Sequence, residues 1–368
     1  MTLIESVYKN SVRPKVFAES KDNAEIAHRW GLEQLKWLQV TPWAMWLANQ
    51  ALVYRHPMLA VRTFGLNFDN PFGLAAGYDK YCDVYWGAIP ATGWGFCEIG
   101  GITPLEQEGF PEPRMLRNPN GYALWNQMGF NNPGAVAAHR KMLTRPQSPI
   151  PVGLNIGKGK NTPIDRAADD YVFVFKLMCD LVQFATINIS SPNTKDLREL
   201  QAAQYLLSLI LAVQQARHEV GSGTRVGIKI SPDETDEQLA DIVGAAQKGH
   251  ADFMILTNTT VKREGLNGWN IPADRGGVSG RPVAAAAKRV LSEVYRATKG
   301  TIPLIGVGGI SNSEDLYDRI RAGATLCQAY TAWPYEGPDF VKRCLKELVF
   351  MLQADGFANV QQAVGADL

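Results

Sequence analysis

Polar residues that could do chemistry recur at the C-terminal ends of short apolar runs. Asp79-Lys80 follows GLAAG (73–77), Asn155 lies in VGLNIG (152–157), and Asn188 lies in FATINIS (184–190), which runs into Ser190-Ser191-Pro192-Asn193-Thr194. Lys229 sits in VGIKIS (226–231), and Thr257-Asn258-Thr259 end FMILTNT (253–259). Gly308-Gly309 end LIGVGG (304–309), and Tyr330-Thr331 close LCQAY (326–330). A polar side chain in a buried strand costs free energy unless it is paired. One such asparagine reads as satisfied core, but six runs doing this at the same end imply a polar ligand lying across them. Lys80 and Lys229 would put two cations into one cavity, which calls for an anionic or electron-rich partner. The turns GGVSGR (276–281) and GVGGIS (306–311) offer backbone amides that could seat a phosphate. A phosphate at one side and a planar ring over the centre suggest a flavin mononucleotide (FMN).

The elements that must hold these residues follow from the same runs. With FCEIGG (96–101) there are eight, separated mostly by helix-period stretches such as 166–182, 196–218, 235–249, 282–299 and 313–322. Apolar strands alternating with helices predict a parallel sheet covered on both faces, and eight units predict a closed (β/α)8 TIM barrel over 61–355, followed by a tail at 356–368. An open doubly wound sheet is the competing fold, weakened by the lack of a GxGxxG opening the first helix. Residues 1–56 differ. Asn23 is placed to cap a helix through Ile26, Ala27, Trp30, Leu35 and Leu38, and Thr41-Pro42 is a second start signal. Four of nine tryptophans (Trp30, Trp37, Trp43, Trp46) fall there, and residues 1–62 carry eight Lys/Arg against five acids. Such a segment suits either a helical cap docked on the main domain or a surface lying in a membrane interface.

Composition narrows the classes. In 368 residues, 37 Lys+Arg against 36 Asp+Glu leave no chain-wide basic field for nucleic acid. No uninterrupted apolar run is long enough to span a bilayer. Five scattered cysteines form no CxxC and read as reduced thiols, with no metal site suggested. No charged-then-apolar signal peptide opens the chain.

The segments GLAAGYDK, NQMGFNN, GLNIGKGKNTP, INISSPNT, GIKISPD, TNTT, GGVSGRP, IGVGGI and YEGP resemble, in order and spacing, the dihydroorotate dehydrogenase family. They fit its class 2, membrane-associated, quinone-reducing branch. Class 1 members carry a cysteine in SCPN, whereas this chain has Ser191 in SSPN, and they lack the N-terminal helices. The resemblance implies a barrel with FMN across its mouth and dihydroorotate/orotate beside it. It makes Ser191 the general base at C5 of the substrate while C6 passes hydride to the flavin. It implies FMN contacts from Ala76, Gly77, Tyr78, Asp79, Lys80, Gly101, Asn155, Asn188, Lys229, Thr257, Gly280, Gly309, Tyr330 and Thr331. Substrate contacts are implied from Lys80, Asn126, Gln127, Met128, Gly129, Phe130, Asn188, Asn193, Asn258 and Thr259. Phe130 and Thr194 match the proton exit path, and His28, Arg117 and Tyr330 match a tunnel for a membrane quinone.

Three departures stand out. Gly101 replaces a common threonine, Gln127 replaces an arginine, and one residue is inserted between Lys80 and the second strand. The expected partners are the pyrimidine substrate, a membrane quinone and the lipid surface, not nucleic acid, at the cytoplasmic face of a bacterial cell membrane. A Schiff-base aldolase using Lys229 or Lys80, or a class 1 reaction with fumarate or NAD, are the alternatives.

Overall fold

The computed structural model describes the chain except Pro119, Thr194–Asp196, Gly265, Asn267 and Ala273. Eight parallel strands close into a barrel: β1 Phe72–Leu74, β2 Cys97–Ile102, β3 Val152–Ile156, β4 Phe184–Asn188, β5 Arg225–Ile230, β6 Phe253–Leu256, β7 Leu304–Val307 and β8 Leu326–Ala329. All eight expected runs are strands, and β8 pairs β1 to complete the ring.

The floor of the barrel is packed through one size pattern. A Cβ on Gly73 of β1, Gly153 of β3 or Gly227 of β5 would come within 2.4, 2.0 or 2.4 Å of the rings of Phe96, Phe184 or Phe253. Glycine on odd strands therefore leaves the volume that phenylalanine on or beside even strands fills, the interdigitation of large and small that a closed core requires. A hairpin, Val61–Thr63 with Leu66–Phe68, lies beneath and adds Phe64, whose ring stacks 4.9 Å from Phe253. Above this apolar plug, buried Glu98, Asn155, Thr186, Lys229 and Gln328 make a polar layer inside the barrel.

Helices Ala167–Met178, Ala203–Glu219, Asp236–Lys248, Ala284–Thr298 and Ser313–Arg321 follow β3 to β7. Helix Phe340–Ala354 follows β8 and buries Val341, Leu345, Leu348 and Leu352 at helical spacing. The long connections hold an antiparallel ribbon of Met115–Asn118, Ala123–Asn126 and Gly277–Gly280. This corrects the reading of GGVSGR as loop, since most of it is the ribbon's third strand.

Asn23 caps helix Ala24–Gln39 by accepting from the Glu25 amide at 3.0 Å. Thr41 does not cap helix Pro42–Leu52: its hydroxyl donates instead to the Trp37 carbonyl at 2.8 Å. The chain is also helical from Leu3 to Ser20, beyond the two helices expected. That segment docks on the turn after β8. Tyr8 Oη donates to the Pro334 carbonyl at 2.7 Å, and Lys9 pairs with Glu336 at 2.8 Å.

Candidate active site

The C-terminal mouth of the barrel encloses a cavity of about 180 Å³. Its walls include Ala76, Gly77, Lys80, Gly101, Asn126, Met128, Gly129, Phe130, Asn155, Asn188, Ser191, Asn193, Lys229, Thr257, Asn258, Thr259, Gly280, Gly309, Tyr330 and Thr331. The structure thus brings together most of the residues that the motifs single out. Of the flavin and substrate residues, three do not line it. Tyr78 faces a second cavity. Asp79 is buried and accepts from the amides of Asp83, Val84 and Tyr85 at 2.7–3.0 Å, so it shapes the turn after β1. Gln127 lines an outer cleft with Arg198 and Arg275, where Ser191 and Asn193 also reach. Thr194 lies outside the described residues.

Lys229 has a partner that the motifs did not supply. Its Nζ lies 3.4 Å from Glu98 Oε2, and that carboxylate also takes Asn155 Nδ2 at 2.8 Å and Gln328 Nε2 at 3.3 Å. The signal was present in FCEIGG: an acid in mid-strand, buried on both faces, must find donors or a cation. Pairing answers the electrostatic demand of Lys229 within the protein and argues against its use as a free amine nucleophile. Lys80 has no such pair among the described residues. Burial, above all, pushes its ammonium down to about 8, with Glu25 opposing the shift and Arg114 adding to it.

Asparagines fill the opposite wall. Asn193 Nδ2 donates to Asn126 Oδ1 at 3.1 Å, and Asn258 Nδ2 donates to Ser190 Oγ at 3.0 Å. Ser191 Oγ accepts from the Asn193 amide at 3.3 Å. Phe130, held at φ +52°, lays its ring over Gly101, where a Cβ would approach to 2.6 Å. The threonine common at that position would collide with this ring placement.

The walls fit a flavin nucleotide. Gly280, Gly308 and Gly309 have φ of +89°, +115° and +80°, and a Cβ on Gly309 would sit 2.4 Å from that of Ala284, at the start of a helix. That close backbone approach beside a helix N-terminus suits a phosphate. Gly77, at φ +94°, faces open space in which a ring could rest. Gln328 Oε1, at the cavity wall, is buried with no donor among the described residues.

A second cavity, about 410 Å³ and mostly apolar, lies between the N-terminal helices and the barrel. Tyr330, Met115 and Leu124 line both cavities, so the two share a wall. His28 Nδ1 is 3.2 Å from Tyr330 Oη, and its ring meets Tyr78 edge-on at 5.0 Å. Burial, with Lys80 and Arg29 nearby, pushes its imidazolium down to about 3, so His28 is neutral. Arg117 lines the same cavity. It donates to Ser20 Oγ at 2.9 Å and to the carbonyls of Phe17 and Lys21, stapling the first helical segment to the ribbon.

Residues 58–352 match the family model described as dihydroorotate dehydrogenase. The chain belongs to the dihydroorotate dehydrogenase family. It is 38% identical over 374 residues to a protein named dihydroorotate dehydrogenase (quinone) from Nostoc punctiforme, covering 98% of each. It is 44% identical over 310 residues to one of the same name from Parvibaculum lavamentivorans, covering 84% of this chain and 87% of that one. A crystal structure of the dihydroorotate dehydrogenase of Eimeria tenella with ferulenol is similar at TM-score 0.83 and 34% identity, covering 96% of this chain and 98% of that one. The family is flavin-dependent in general.

Proposed function

We infer that this chain oxidises dihydroorotate to orotate in pyrimidine biosynthesis and delivers the electrons to a quinone, with FMN as its resident cofactor. The observation that carries this reading is the shared wall. A polar, asparagine-lined cavity and an apolar one meet at Tyr330, as two half-reactions on opposite sides of one cofactor require. FMN, when bound, supplies a two-electron acceptor that neither side chains nor backbone provide.

Gly77, Asn155, Lys229, Gly280, Gly309 and Thr331 would hold it, with the Gly280 and Gly309 turns at the phosphate. Lys80 binds the substrate carboxylate, while Asn126, Asn188, Asn193 and Asn258 pair with the alternating C=O and N–H edges of the ring. Ser191 removes the proton at C5, and its place on the wall shared by the cavity and the outer cleft gives that proton a way out. A serine is a weak base, so it acts in an enclosed site that aligns its lone pair with the C–H bond.

The apolar cavity takes the quinone. Trp37, Trp43 and Trp46 are more than half exposed around the N-terminal helices, which suits lying in a lipid interface at the cytoplasmic face of a bacterial membrane. Among the described residues, no helix is long and apolar enough to cross a membrane. Cosedimentation with anionic vesicles tests this contact. Substituting Trp43 and Trp46 together by Ser should weaken it at least tenfold, and unchanged binding would remove these helices from the role.

A further inference from the structure

Glu98 does more than neutralise Lys229. Its carboxylate, fully buried, can only accept hydrogen bonds. Asn155 must therefore turn its NH₂ toward it, and does so at 2.8 Å. That leaves Asn155 Oδ1 facing outward, where it accepts Asn188 Nδ2 at 2.8 Å. Asn188 Oδ1 in turn accepts the Ser190 amide and hydroxyl at 3.2 and 3.1 Å, and Asn258 Nδ2 at 3.4 Å. Asn258 Oδ1 then faces the Thr259 amide, 2.8 Å away.

The outer links are pinned as well: the backbone amides of Ser190 and Thr259 can only donate, so Asn188 Oδ1 and Asn258 Oδ1 face them, and the inner and outer ends of the relay agree in one sense. An amide can present either edge, whereas a carboxylate offers one choice, so the acid at the barrel's centre orients Asn155 on β3 and fits it to Asn188 on β4.

We propose that Glu98 is a positioning residue that sets Asn155 in the one sense compatible with Asn188, and so supports from the barrel's centre the donor and acceptor edges that Asn188 and Asn258 present to the pyrimidine. The inference rests on the dihydroorotate reading of the cavity. A ring with alternating carbonyl and N–H edges is recognised only if each asparagine shows the matching atom. A flipped amide puts donor against donor and leaves buried groups unpaired.

The test is calorimetric titration of orotate into the flavin-loaded enzyme. Glu98→Gln is nearly isosteric but gives position 98 a donor edge, which must meet the Asn155 amide or else Lys229 and Gln328, so the inner end of the relay no longer agrees with the end pinned by Ser190. We expect orotate affinity to fall at least about tenfold. The double variant Glu98→Gln with Asn155→Asp moves the acceptor-only group one link outward. The amide at position 98 then donates to the carboxylate at position 155, which still accepts from Asn188. Compared at matched flavin content, we expect it to bind orotate at least about threefold more tightly than the single variant.

A packing role for Glu98 cannot make two substitutions better than one, and a role limited to neutralising Lys229 would show as lost flavin in the single variant rather than as weaker orotate binding at full flavin content. Orotate affinity within about twofold of the parent in the single variant overturns the proposal, as does a double variant no tighter than the single. If the single variant fails to fold, a double that folds and binds orotate supports the relay, and a double that also fails to fold overturns it. Failure of the parent enzyme to bind orotate would instead remove the dihydroorotate reading itself.

Discussion

Ser191 and Lys80 carry the most exposed predictions at the scale of single residues. Ser191→Ala keeps the cavity's shape and removes only the group assigned the proton. We expect reduction of the bound flavin by dihydroorotate, followed in a single turnover, to slow by about 10²–10⁴-fold with flavin content unchanged. An unaltered rate would take Ser191 out of the role. Lys80 titrates at about 8 because its ammonium is buried, with no ion-pair partner among the described residues. An anion beside it favours the charged form and raises that value on binding, so orotate binding takes up a proton above pH 8. Affinity should therefore be flat below pH 8 and fall above it, by at most about tenfold per pH unit. Titrations from pH about 6.5 to 9.5 check this, and Lys80→Met should abolish the slope while weakening binding throughout. A slope that persists in Lys80→Met would assign the proton elsewhere.

At the scale of elements, the barrel strands were legible because parallel strands covered on both faces read as unbroken apolar runs, as in FATIN and VGIKI. The helices after β3 to β7 were legible from their period. The floor hairpin and the ribbon were not, because their strands, VRT, LNF, MLRN, ALWN and GVSG, mix polar residues or glycines with apolar ones and offer no apolar run to read. Leu3–Ser20 was missed for a different reason. Its start carries a local signal, the Thr2–Glu5 capping box, that the reading passed over, whereas its docking partners Pro334, Tyr335 and Glu336 lie far along the chain. The site divides the same way. Motif residues at strand ends converge on one cavity, whereas Glu98 stood inside a quoted run and went unremarked because its partners lie on β3, β5 and β8.

The interlocking floor makes its own prediction. Gly153→Ala or Gly227→Ala pushes a methyl against Phe184 or Phe253 at 2.0 or 2.4 Å, overpacking that should cost about 1–3 kcal/mol and lower the melting temperature. Gly244→Ala, on a helix where a Cβ meets nothing within 4 Å, should be neutral or stabilising under the same thermal melt. Equal melting of all three would contradict the packing account.

For the whole molecule, the N-terminal helices and barrel act as one device because two cavities of opposite character share Tyr330, Met115 and Leu124. Arg117 holds the roof of the apolar cavity to the ribbon, so Arg117→Leu should slow reoxidation by quinone about tenfold or more relative to reduction by dihydroorotate. Stopped-flow traces of the two half-reactions separate these effects, and equal slowing of both would place Arg117 elsewhere.

The most direct measurement follows the visible absorbance of the purified enzyme under anaerobic conditions, first with dihydroorotate and then with a short-chain ubiquinone or with fumarate. The account predicts a yellow protein that bleaches with dihydroorotate and recovers its colour with the quinone but not with fumarate. A protein that binds no flavin, or one whose reduced flavin is reoxidised by fumarate and not by quinone, would contradict it.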